Sequence, residues 1–209
     1  MGSESGMYVN TEGDESLVWE AIKISHLVED KWIDFREVDY RLPDGKIGPP
    51  YYNYSRKDYV IVVATDESGR FICVKQFRHG IREVTTEFPA GGIETGELSL
   101  YVKSGKPENF KAKAFEAAKR ELQEETGYVS DDWEFMIAVP SNATMADNYA
   151  FIYRARNCKK VSAQELDDTE FINVYLMTDE ELELLIDRGK FQQAIHVMAW
   201  EMDKNRRKE

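Results

Sequence analysis

Residues 120–128 read Arg120-Glu121-Leu122-Gln123-Glu124-Glu125-Thr126-Gly127-Tyr128 and end a stretch of helical composition that begins at Ala112. Gly127 stands where a C-terminal cap is expected. At about 100° per residue, Ala114, Phe115, Ala118 and Leu122 form one apolar arc, while Lys113, Glu116, Lys119, Arg120 and Gln123 take the other side. Glu125 falls inside the apolar arc, Glu121 lies at its edge, and Glu124 stands further round toward the polar side. A Glu-rich helix is ordinarily a solvated face. A carboxylate turned toward a core is different: it must be protonated, strongly hydrogen-bonded or bound to a cation, because burying it unpaired costs several kcal/mol. Glu121 lies one helical turn from both Glu124 and Glu125, so a single bound metal would satisfy all three. Hard oxygen ligands favour Mg²⁺ or Mn²⁺ over zinc. Arg120, four residues before Glu124, either orients that carboxylate or forms a plain surface ion pair.

Upstream, residues 87–97 (EFPAGGIETGE) hold three glycines and a proline, which suits a loop that bends tightly and lets its backbone approach a ligand. Before it, Tyr59–Thr65 and Phe71–Phe77 flank Asp66-Glu67-Ser68-Gly69 as a hairpin. Leu17–Glu29, Trp32–Tyr40 and Tyr51–Tyr54 read as strands of an N-terminal sheet, with a turn at Leu42-Pro43-Asp44-Gly45. Downstream, Trp133–Val139, Tyr149–Ala155 and Phe171–Leu176 read as strands. Thr178 and Glu181 form a capping box opening a helix that stops near Gly189, and Phe191–Asp203 carries a last amphipathic helix.

A chain of 209 residues, 42% apolar and 32% charged, buries one main core with room for a smaller accessory sheet. Residues 1–15 lack the basic and apolar regions of a secretory signal and read as a disordered tail. The longest apolar run, Val60–Ala64, is far too short to span a bilayer, so no membrane partner is expected. Cys73 and Cys158 form no CxxC pair and fit reduced thiols in a cytoplasm. Cys73 sits in an apolar stretch suited to packing. A net charge of −12 argues against nucleic-acid binding, but it admits a small anionic substrate if cations or well-placed arginines neutralise it locally.

Gly91-x5-Glu97 and Arg120-Glu-Leu-Gln-Glu-Glu-Thr-Gly-Tyr128 resemble the two halves of the Nudix box, G-x5-E-x7-R-E-U-x-E-E-x-G-U. Every fixed residue type is present, but 22 residues separate Glu97 from Arg120 instead of seven, an insertion of 15 placed at about 98–113. Lengthening a surface loop at that point costs little closure entropy. The inserted segment, with Tyr101, Lys103 and Lys106, is either a linker or a modifier of what enters the site. Lys75-Gln76-Phe77-Arg78, Glu87-Phe88-Pro89-Ala90-Gly91 and Asp168-Thr169-Glu170-Phe171-Ile172 are similar to the ADP-ribose and nucleotide-sugar diphosphatase subgroup. Lys31-Trp32, Tyr51 and Arg56 match N-terminal positions there. The resemblance implies an α+β chain: the Nudix α/β/α sandwich with a mixed sheet over 58–209, and a small antiparallel β-sheet over 16–57 that serves dimerisation.

That resemblance implies an ADP-ribose pyrophosphatase type of hydrolase that splits ADP-ribose into AMP and ribose 5-phosphate with magnesium. Glu121, Glu124, Glu125 and the carbonyl of Ala90 would bind the metal, with Glu87 and Glu97 near it. Glu125, Glu121 and Arg120 would carry the catalytic helix. Arg78 and Arg56 would hold the diphosphate, and Trp32 and Tyr51 would sandwich the base across a homodimer interface. Sheet packing is the competing account of the two aromatics, and surface charge that of Arg56. Relatives draw a general base from the acidic loop before the last strand, here Glu165–Glu170, making Glu170 and Asp168 the candidates. GDP-mannose or another nucleotide sugar is the alternative substrate, because the region after the box, Pro140-Ser141-Asn142-Ala143-Thr144, lacks the proline that ADP-ribose enzymes carry about sixteen residues downstream of the box. A non-catalytic nucleotide-sugar sensor is the alternative of another class. His26, His79 and His196 show no partner pattern and read as structural.

Overall fold

The computed structural model describes residues 13–208. Most of the tail expected over residues 1–15 therefore lies outside the described residues, and Asp14–Leu17 forms one 3-10 turn. Strands β1 (Glu20–Glu29), β2 (Asp34–Arg41) and β3 (Tyr51–Ser55) pair antiparallel in that order as the N-terminal sheet. The turn between β2 and β3 closes on Gly45, whose φ of 83° an L side chain rarely adopts.

The larger sheet is built on β4 (Tyr59–Asp66). It runs antiparallel to β5 (Phe71–Arg78) and β7 (Ala90–Gly92), and parallel to β10 (Tyr149–Lys160). The sheet is therefore mixed. Strand β6 (Glu83–Glu87) pairs with β5, β8 (Tyr128–Val129) and β9 (Asp132–Pro140) pair with β10, and β11 (Asn173–Met177) closes the far side on β5. The stretch read as a loop over 87–97 thus contributes two strand ends, and Gly91 lies opposite Val60 of the central strand.

The hydrophobic pattern of β4 explains the layers. Val60, Val62 and Ala64 face one side and Ile61 and Val63 the other, all fully buried, so both faces of the sheet are covered. On the first side lies helix α2 (Phe110–Thr126), through Phe110, Ala114, Ala118 and Leu122. On the second lie α3 (Asp179–Asp187) and α4 (Ala194–Arg206), through Leu182, Ala199 and Trp200. The capping box at the start of α3 forms as the sequence predicts: Glu181 N–H donates to Thr178 Oγ1 at 3.3 Å, and Thr178 N–H to Glu181 Oε2 at 2.9 Å. The result is an α/β/α sandwich with an appended antiparallel sheet. Both cysteines are buried thiols. No described helix is long and apolar enough to cross a membrane.

The inserted segment is more than a linker. It forms a short helix α1 (Leu100–Lys103), and α2 starts at Phe110, two residues before the expected Ala112. Tyr101 is only 1% exposed and meets Phe110, Tyr149 and Phe151 with ring centroids 5.2, 5.2 and 5.0 Å apart. The insertion therefore supplies part of the core beneath α2. Tyr101→Ala is expected to lower stability by about 3–5 kcal/mol, as for other large buried aromatics, when read by urea denaturation. A loss below about 1 kcal/mol would return the segment to the status of a linker.

Candidate active site

Helix α2 delivers its three glutamates to the glycine strand β7. Glu125 is 3% exposed and Glu121 8%, as the helical arc requires. Glu125 Oε2 accepts the N–H of Ala90 at 3.0 Å. Arg120 joins the two elements: its guanidinium donates to Glu124 at 2.7 Å, to Glu121 at 2.6 Å and to the carbonyl of Gly92 at 3.0 Å. The approach leaves no space for a side chain at position 91. A Cβ built on Gly91 would stand 2.0 Å from the carboxyl carbon of Glu121.

These carboxylates are strained electrostatically. Burial pushes Glu121 up to about 7, partly offset by Arg120 and reinforced by Glu124 and Glu170. Burial raises Glu125 well above the ordinary carboxylate range; Ala90 N–H and Arg78 oppose that rise, and Glu121 and Glu170 add to it. Buried oxygen donors that repel one another fit a hard divalent cation. Arg120 supplies the positive charge the structure shows. Among the described residues no three acidic, histidine or cysteine side chains are gathered closely enough to hold a metal as they stand.

Of the two general-base candidates, Glu170 is the one whose charge is felt at both Glu121 and Glu125. Asp168 is exposed. The loop carrying both is tied to the end of α2: Gln164 Nε2 donates to the carbonyls of Glu125 (2.7 Å) and Ile172 (3.1 Å), and Glu165 N–H to that of Glu124 (2.9 Å). Nothing local in the sequence singles out Gln164.

Four of the expected residues stand elsewhere than on a metal or ligand. Glu97 is exposed in a bend and makes no contact with the helix glutamates; the nearby acid whose charge acts on Arg120 is Glu94. The insertion between Glu97 and the helix removes the constraint that the uninterrupted spacing would impose. Glu87 and Arg78, expected on metal and diphosphate respectively, hold each other. Arg78 Nε donates to Glu87 Oε1 at 2.9 Å, and Thr85 also donates to this fully buried carboxylate. Burial would raise Glu87, but Arg78 holds it below the ordinary range. Tyr51 packs edge-on against Trp19 and Tyr40 at 5.1 and 5.8 Å. Strand alternation puts it out of phase with Tyr54, and Tyr54 takes the place beside Trp32.

Trp32, Ile33, Tyr54, Arg56 and His79 line a cleft of about 580 Å³. Asp30 Oδ1 accepts the N–H groups of Trp32 and Ile33 at 2.7 and 2.9 Å and so presents the indole, which is 61% exposed beneath Lys31 and Lys57. Arg56 and Arg78 both act on Tyr59, which burial pushes up to about 12, and Arg78 acts in turn on Glu125. His79, read as structural, lines the cleft. His196 is buried with Nδ1 accepting Phe88 N–H at 3.2 Å, a structural role.

Because the Gly91 clash is with the end of a flexible side chain, Gly91→Ala is expected to fold with stability lowered by about 1–3 kcal/mol as Glu121 is expelled from Arg120. Denaturation midpoints and a crystal structure of the variant check this. A loss above about 3 kcal/mol would mean that the carboxylate cannot move aside.

No family model matches the chain. An ADP-ribose pyrophosphatase of Bacillus subtilis (strain 168) is 29% identical over 174 residues, covering 83% of this chain and 85% of that one. A Nudix hydrolase of Schizosaccharomyces pombe is 28% identical over 156 residues, covering 68% and 69%. Among solved structures, an ADP compounds hydrolase superposes with a TM-score of 0.71 over 90% of this chain and 92% of its own, at 18% identity, and shares the fold. The α/β/α sandwich, the glycine strand against the glutamate helix and these relatives agree, and in sequence and fold the chain is similar to the Nudix hydrolases.

Proposed function

We propose that the chain hydrolyses the diphosphate bond of a nucleoside diphosphate linked to a sugar, with ADP-ribose, split into AMP and ribose 5-phosphate, as the first candidate. The observation that carries this reading is the pair of buried carboxylates, Glu121 and Glu125, set against the glycine strand, in a chain that also carries a cleft with an exposed indole and an arginine. The Bacillus subtilis relative, named for ADP-ribose, supports the choice of substrate.

Glu121, Glu124 and Glu125, with the backbone at Ala90, are the residues that would hold Mg²⁺ or Mn²⁺. Such ions neutralise diphosphate charge and make water a stronger nucleophile at neutral pH. The remaining roles belong to the chain itself. Arg120 orients Glu121 and Glu124 and fixes the helix on Gly92. Glu170, on the loop that Gln164 ties to α2 and with its charge acting on Glu121 and Glu125, is the residue assigned to take the proton from the attacking water. Arg56 draws the diphosphate into the cleft and Trp32 offers a face for the base, with Tyr54 beside it. A homodimer is supported by β1, exposed along nearly its whole length, with Ile24, Leu27 and Val28 each about half exposed. Two buried thiols support a cytoplasmic setting.

The deciding experiment incubates the protein and Mg²⁺ with ADP-ribose, ADP-glucose, GDP-mannose, diadenosine polyphosphates and nucleoside triphosphates and identifies the products. AMP and ribose 5-phosphate are expected; GDP-mannose cleavage alone would shift the substrate, and no cleavage would favour a sensor. Glu125→Gln should lower kcat by more than about a hundredfold with unchanged circular dichroism, and full activity would remove Glu125 from the site. Separate alanine substitutions should cost Glu170 about a hundredfold and Asp168 less than tenfold; the reverse order would reassign the base.

A further inference from the structure

The segment that carries Arg56 is held at each step by groups far away in sequence, and two of these belong to the insertion. The carbonyl of Arg56 accepts the Ser99 N–H at 2.8 Å and the Ser99 hydroxyl at 3.1 Å. The carbonyl of Lys57 accepts Asn148 Nδ2 at 2.9 Å. Asp58, 2% exposed, accepts the N–H groups of Tyr101 at 2.9 Å and Tyr149 at 2.8 Å, while its own carbonyl accepts Ile93 N–H at 2.8 Å. Ser55, on the other side, donates its hydroxyl to Asp147 at 2.7 Å, and Asp147 also receives Arg36 at 2.9 Å. The exposed Arg56 side chain lines the cleft.

Ser99 is the unusual member. It is fully buried and sits at φ 48°, ψ 39°, a left-handed conformation that a non-glycine residue keeps only when its surroundings enforce it. Its hydroxyl bridges the Arg56 carbonyl and Asp147. Strain held by three contacts at the base of a cleft arginine marks a positioning device. A spacer in the motif would carry no such contact, and an entropic linker would leave residue 99 in an ordinary conformation.

We infer that the insertion splitting the motif is a clamp on the Arg56 segment, and that Ser99 is a positioning residue that sets where the Arg56 guanidinium meets the substrate's diphosphate. This rests on the proposed diphosphatase reading, in which Arg56 binds substrate. Ser99 touches the arginine's backbone and never the substrate. Its loss therefore weakens the contribution of Arg56 and leaves the chemistry on the glutamate helix in place.

The test is a double-mutant cycle between Ser99→Gly and Arg56→Ala in the full chain, with ADP-ribose and Mg²⁺, reading KM and kcat separately. Glycine adopts φ 48° without strain, and Ser99→Asn, which also tolerates that region, is a second variant should the first fold poorly. In Ser99→Gly, KM is expected to rise about tenfold with kcat within about twofold, and adding it to Arg56→Ala should raise KM no further. Independent, multiplicative effects of the two substitutions would overturn the clamp, as would an unchanged KM in the Ser99 variants. The same cycle is read on ADP-ribose binding, by quenching of tryptophan fluorescence in EDTA. Coupled binding without turnover would refute the diphosphatase reading and keep the clamp; turnover without coupling would do the reverse; neither binding nor turnover would overturn both.

Discussion

Arg120 is the interaction on which the site depends. Three short hydrogen bonds from one guanidinium reach two helix carboxylates and the carbonyl of Gly92, so one side chain both neutralises acids that burial destabilises and fastens the helix to the strand beside it. The close approach is available because position 91 has no side chain. Helix, strand and charge are therefore one constraint, and the central strand β4, buried on both faces, is the rigid member against which β7 is registered. The acidic loop and the cleft are arranged around that unit by contacts that run to it from elsewhere.

The part of this arrangement that follows a short period was legible from the residues. A 3.6-residue repeat placed Glu125 inside the buried arc and Glu121 at its edge, and the structure buries both. The same holds for the capping box at Thr178, which depends on two residues three apart. Alternation along a strand was less forgiving. Tyr51 and Tyr54 differ by an odd number of positions, so choosing the wrong member of the strand sends the ring to the opposite face, into the cluster with Trp19 and Tyr40.

What the residues did not disclose depends on partners distant in the chain. Gln164 and Ser99 are unremarkable locally and acquire roles only through carbonyls 39 and 43 positions away. Glu97 carried the right identity at the right distance from Gly91, but the spacing that would bring it back to the helix was interrupted. Glu94, not singled out, stands within reach of Arg120's charge. Arg78 and Glu87 each suit a ligand when taken singly, but β5 and β6 are adjacent strands of one hairpin and bring the two side chains to each other.

The Gln164 tether bears on how precision is inherited within the fold. A loop that answered only to the sheet would carry every small displacement of β10 and β11 into the position of its acids. By hanging from carbonyls near the end of α2, the loop takes the glutamate helix as its frame of reference. One amide, spanning from the carbonyl of Glu125 to that of Ile172, thereby joins the helix end to the far end of the loop.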